Sequence, residues 1–70
     1  MSRSPRGLQR AIREMEVARE IHVFWRDELT EDPARGLDLL KREEVGGDVS
    51  WHAEWIACYD RVLAILRTLR

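Results

Sequence analysis

The first half of the chain has apolar positions that recur every three or four residues, the spacing of one face of a helix. Ser4 and Pro5 suit the start of that helix, because serine caps a helix and proline is tolerated at its first position. We therefore predict a helix from about residue 5 to about residue 29. Its apolar face consists of Leu8, Ala11, Ile12, Met15, Ala18, Ile21, His22, Trp25 and Leu29.

Two further helices are predicted after Pro33. Asp32 can cap a second helix over residues 33–45, which carries the weakening Gly36 and stops at Gly46 and Gly47. Leu37, Leu40 and Val45 are its expected inward residues.

Asp48 or Ser50 can cap a third helix over residues 49–69. Its predicted apolar face consists of Trp51, Trp55, Cys58, Tyr59, Val62, Ile65, Leu66 and Leu69, with Ile56 and Leu63 off that line. We expect a small all-α domain in which two long antiparallel helices carry the short helix across them. Because the apolar sector of the third helix is wider than one neighbour covers, we also expect association into a helical bundle, as a homodimer.

Composition narrows the class of protein. A chain of 70 residues forms one domain with a small core, and a single cysteine cannot form an internal disulfide. This cysteine usage fits the reducing cytoplasm, and the short apolar runs predict no membrane span and no secretion signal.

Charge is segregated along the chain although the net charge is only −1. Residues 1–13 carry +4, residues 14–54 carry −7 and residues 55–70 carry +2. Antiparallel packing of the long helices would collect the arginines at one pole and the acids with the tryptophans at the other. The predicted arginine pole consists of Arg3, Arg6, Arg10, Arg13, Arg61, Arg67 and Arg70, and the acids opposite it are Asp27, Glu28, Glu31, Asp32, Asp48 and Glu54.

No residue pattern indicates catalysis or a cofactor. Cys58 is expected to be a small buried residue, since His52 lies on another face of the same helix and only His22 could act as its base. His22 and His52 lack the spacing of a metal-binding pair, and adjacent carboxylates such as Glu43 and Glu44 point to different faces. We therefore predict no enzyme and no metal site.

Two functions are favoured, and a metal or redox sensor at His22, His52 and Cys58 is a distant third alternative. The first is a non-enzymatic protein-binding module, such as a small regulator, inhibitor or assembly subunit of the kind that phages and mobile elements encode. Aromatic residues beside charge are typical of binding hot spots. The expected contact residues are Trp25, Glu28, Trp51, His52, Glu54 and Trp55.

The alternative is a nucleic-acid-binding module. Residues 39–45, followed by two glycines and another helix, resemble a helix-turn-helix of the excisionase kind. However, the helix that would read DNA begins with Asp48 and carries Glu54, which phosphates repel. Nucleic acid would instead meet the arginine-rich pole, through Arg3, Arg6, Arg10, Arg13, Arg67 and Arg70.

Overall fold

The computed structural model describes residues 6–69, and this part of the chain is all-α with three helices. Helix α1 spans Arg6–Glu31, α2 spans Pro33–Arg42 and α3 spans Val49–Arg67. The predicted fold class is confirmed, and the Ser4-Pro5 cap lies outside the described residues. The molecule is elongated, at 54 × 19 × 15 Å. None of the described helices is long and apolar enough to cross a bilayer.

Aspartate caps begin both later helices. The Asp32 side chain accepts a hydrogen bond from the Arg35 backbone N–H at 3.2 Å, with Pro33 as the first helical residue. The Asp48 side chain accepts one from the Trp51 N–H at 2.8 Å, so Asp48 rather than Ser50 caps α3. Both carboxylates cap their helices, so they contribute less to the acidic pole that the sequence predicted.

The end of α2 differs from the prediction of a stop at Gly46 and Gly47. The chain leaves the helix after Arg42, and Glu44 adopts the left-handed conformation with φ 56°. The Val45 N–H donates to the Leu40 carbonyl at 2.9 Å and the Glu44 N–H donates to the Lys41 carbonyl at 3.3 Å. These are the two hydrogen bonds of a Schellman motif, with glutamate where glycine is the usual residue.

Helices α1 and α3 pack antiparallel, as predicted. Arg19 pairs with Asp60 at 2.6 Å, and Arg67 pairs with Glu16 at 2.8 Å. Early residues of α1 therefore lie beside late residues of α3. The α1 residues before Glu16 continue beyond this pairing toward the N-terminus.

Helix α2 packs on α1 and, among the described helices, not on α3, so it does not lie across the pair. Trp25, Leu29 and Leu40 form the buried cluster at this corner, with Leu39 and Val45 against it. Gly36 is buried there, and an added Cβ would lie 3.0 Å from the Leu29 Cα. Gly36 thus permits the close approach of the two helices. The sequence had indicated only that it weakens α2 through its low helix propensity. Leu37, expected inward, is exposed.

The buried face of α3 is not the predicted one. His52, Ile56 and Leu63 are buried, with Tyr59 and Leu66 half-buried beside them. Ile56 and Leu63, which the periodicity left off the apolar line, are core residues. Most of the predicted apolar line faces outward, because α1 packs on the neighbouring face, where Asp60 and Arg67 reach their α1 partners.

Candidate protein-binding surface

A continuous row of exposed apolar side chains runs along α3, and we call it the α3 stripe. Its residues are Trp51, Trp55, Cys58, Val62, Ile65 and Leu69. They alternate in steps of four and three, the heptad spacing with which a helix receives a second helix. Trp51 and Trp55 stay 43% and 40% exposed, so even the largest members are only partly covered by their own chain.

The aromatic end of the stripe is fixed in place by His22 of α1. The His22 ring stacks on Trp55 with centroids 5.8 Å apart and an interplanar angle of 8°. The same imidazole meets the edge of Trp51 at 5.7 Å and lies 5.7 Å from the Tyr59 ring. One side of each tryptophan is therefore held by the fold while the other side remains available for binding.

His52 lies beneath this aromatic group and is fully buried. Its Nε2 is 3.0 Å from the Gly46 carbonyl oxygen and its Nδ1 is 2.8 Å from Nδ1 of His22. Because a carbonyl only accepts, His52 Nε2 carries the hydrogen, and Nδ1 of neutral His52 then accepts from the Nδ1–H of His22. The pair joins α1, α3 and the loop between α2 and α3.

The surroundings of His22 disfavour its charged form. Burial lowers the pKa of His22 below its ordinary value of 6.5, and the neighbouring His52 lowers it further. If both Nδ1 atoms carried hydrogens at 2.8 Å, the hydrogen bond between the two rings would be lost. The arrangement therefore favours a neutral His22, which suits a structural link between helices.

Gly47 supports the first tryptophan of the stripe. It has φ +94°, and an added Cβ would clash with Cε3 of Trp51. The indole thus packs directly over the glycine backbone. This explains why glycine stands at the second position of the Gly-Gly pair, which the sequence indicated only as a turn.

The six predicted contact residues divide into three groups. Trp51, Glu54 and Trp55 lie together on the surface, where they line a shallow depression with Cys58. Trp25 and His52 are buried, at 6% and 0% exposure, so the interpretation of these two as contact residues is wrong. Glu28 is half-buried on α1, and its backbone carbonyl accepts a hydrogen bond from the Asp32 N–H.

The fold brings together only some of the arginines of the predicted arginine pole. Arg6, Arg10 and Arg13 line one concave patch with Gln9 at the start of α1. Arg10 is paired with Glu14, and Arg67 is paired with Glu16, so part of this positive charge is neutralised within the fold. Arg61 lies on α3 away from this patch, while Arg3 and Arg70 lie outside the described residues.

Cys58 is exposed, which corrects the expectation of a buried thiol. It lines the depression with two tryptophans and Glu54, and no histidine lines that depression. Over residues 6–69 no group of three histidine, cysteine or carboxylate side chains is arranged to hold a metal ion.

A second exposed apolar face was not anticipated. Val17, Ile21 and Phe24 lie on α1 and line a groove with Arg13, Glu16 and Glu20. The sequence assigned Ile21 to the inward face and Phe24 to the acidic pole with the tryptophans, whereas Val17 was not assigned to any face. The spacing of four and three residues between them is the sequence pattern that could have predicted this face.

Comparisons with known proteins yield no relative from which a role could be transferred. No protein-family model, curated protein or solved structure matches this chain.

Proposed function

We propose that the chain is a non-enzymatic protein-binding module whose contact surface is the α3 stripe. The main support is the exposure of Trp51, Trp55 and Val62 in a heptad row that residues 6–69 leave uncovered. Large apolar patches on a small domain are costly in water and are typical of binding sites. The heptad spacing favours a helix as the bound element.

The aromatic end provides the expected anchor. Tryptophan is among the residues most enriched in binding hot spots, and rigid presentation lowers the entropy lost on binding. His22 and Gly47 hold the two indoles in place before any partner arrives. Glu54 at the rim adds a charge that selects among partners.

A matched pair of variants tests this proposal. Val62→Glu places a charge on the stripe, whereas Val17→Glu places the same charge on the exposed face of α1. Affinity capture with tagged chain, followed by mass spectrometry, should recover specific proteins with the native chain and with Val17→Glu, and lose them with Val62→Glu. Equal recovery with both variants, at native helicity by circular dichroism, would refute the assignment of the surface.

The alternative function, nucleic-acid binding, would use the arginine patch of α1, and a binding assay tests it. Should the chain bind duplex or single-stranded nucleic acid with an affinity that falls steeply with salt and with neutralisation of Arg6, Arg10 and Arg13, the nucleic-acid alternative would replace the protein-binding proposal.

A further inference from the structure

Helix α3 has two apolar faces, and α1 covers only one of them. At about 100° per residue, the centre of the stripe lies roughly 100° around α3 from the centre of the packed face, which consists of the buried and half-buried residues His52, Ile56, Tyr59, Leu63 and Leu66. That separation is close to the angle between the two neighbours of a helix at the corner of a four-helix bundle. The first neighbour is α1, and the stripe lies where a second neighbour would pack.

We propose that the second neighbour is α3 of another copy of this chain, running antiparallel, so that two α1–α3 pairs form one bundle. The inference rests on the proposed function and names its partner. A two-fold axis relates the copies, and each stripe then meets the same stripe in reverse.

The sizes of the stripe residues complement each other in this arrangement. Antiparallel pairing about the middle of α3 sets Trp51 opposite the partner's Val62 and Trp55 opposite the partner's Cys58. Each layer then combines a large residue with a small one, which lets the helices stay at a constant distance. The two layers of Trp55 and Cys58 lie nearest to the axis, where the small cysteine leaves room for the partner's indole.

The charges along the stripe's outer edge complement each other in the same register. Glu54 and Arg61 lie two turns apart on the edge remote from α1, both are exposed, and neither forms an ion pair with another residue in 6–69. Antiparallel pairing places Glu54 beside the partner's Arg61, twice per dimer. A parallel pairing would place Glu54 and the partner's Arg61 on opposite flanks of the helix pair, so that the two charges could not meet.

In another register of the antiparallel pair, the two α3 helices overlap over a greater length and also bury Ile65 and Leu69. This register sets Trp51 and Trp55 against the partner's leucine and isoleucine, pairs Cys58 with valine at the centre, and brings Arg61 beside its own copy. Layers of unequal thickness and a like-charge contact both disfavour that register.

Sedimentation equilibrium of the full chain at roughly 1 to 100 micromolar, across the usual affinity range of such dimers, tests the proposal. The expected mass is twice the 8.3 kDa of one chain. Trp55→Glu and Val62→Glu should each give monomers with native helicity, while Val17→Glu should remain dimeric.

Charge reversal determines the register. Glu54→Arg alone and Arg61→Glu alone should each weaken the dimer roughly tenfold, because two pairs become repulsive, and the double variant should restore the native constant. Failure of the double variant to restore it, or a tighter dimer with Arg61→Gln, would overturn the register proposed here.

The outcomes separate this inference from the proposed function. A chain that stays monomeric at every concentration, yet loses a captured protein on Val62→Glu, would overturn self-pairing and leave the stripe as a surface for another protein. A monomer whose captured proteins are indifferent to Val62→Glu would overturn both.

Discussion

The packed face and the exposed stripe of α3 are similar in chemistry and opposite in environment. Ile56 and Leu63 lie on the packed face at 5% and 2% exposure, whereas Val62 and Ile65, one or two residues from Leu63, are 40% and 61% exposed. Hydrophobicity alone therefore does not select which face a helix buries. Asp60 and Arg67, which flank the packed face, reach α1 partners only when that face turns inward.

The largest expected effect comes from truncating each face in turn. Leu63→Ala should lower the free energy of unfolding by about 2–5 kcal/mol, because a fully enclosed side chain leaves a cavity. Ile65→Ala should change it by less than about 1 kcal/mol in the monomer, since its side chain is exposed. Denaturant titration at low protein concentration measures both, and equal losses would show that the two faces do not differ.

The second test disrupts the close packing of α2 on α1. Gly36→Ala should destabilise the fold by about 1–3 kcal/mol, because its Cβ would lie 3.0 Å from the Leu29 backbone. Gly7 is the matched control, since nothing lies within 4 Å of an added Cβ there. Gly7→Ala should instead stabilise α1 by about 0.5–1 kcal/mol. Thermal unfolding distinguishes the two, and a stabilising Gly36→Ala would contradict the close helix packing.

A third substitution is expected to stabilise the C-terminal end of α2 without changing the α3 stripe. Glu44→Gly should raise the free energy of unfolding by about 0.5–1 kcal/mol, because glycine adopts the left-handed conformation of the α2 terminus without the cost that a side chain incurs. Thermal melts measure the gain. An unchanged or lower melting temperature would mean that Glu44 is not held at positive φ in solution.

The histidine pair lies at the boundary between the two faces and predicts a pH dependence. Since the pKa of His22 is lowered in the folded chain, the unfolded chain takes up a proton first as the pH falls. This contribution to stability is present above pH 6.5 and is lost as the pH falls from 6.5 through the lowered value. His22→Phe should remove that part of the dependence while keeping the ring contacts, as denaturant midpoints measured between pH 8 and pH 5 would show.

Much of the fold was predictable because it depends on local rules. Pro33 and the aspartates Asp32 and Asp48 set helix starts through their own backbone and side-chain chemistry, and the antiparallel pairing of α1 and α3 followed from the amphipathic patterns. The docking of α2 on α1 alone depends on the space beside Gly36 and Leu29, which no periodicity encodes.

The site was only half predictable for a similar reason. Trp51, Glu54 and Trp55 were predicted to share a contact surface because they are close together on one helix, and they line one depression in the structure. The periodicity had also assigned both tryptophans to the inward face, so it did not decide between core and surface. His52 is buried because two hydrogen-bond partners, the Gly46 carbonyl and His22, converge on it from other segments. Cys58 was assigned to the core because the periodic line through it is apolar, and periodicity does not say which of two apolar lines α1 covers.

The most direct test of the stripe is the alkylation rate of Cys58 in the native chain as a function of protein concentration. We predict a rate close to that of the unfolded chain at low concentration, since the thiol is exposed, and progressive protection as a second copy covers the stripe. Slow alkylation that does not depend on concentration would place Cys58 in the core of the monomer and contradict this account.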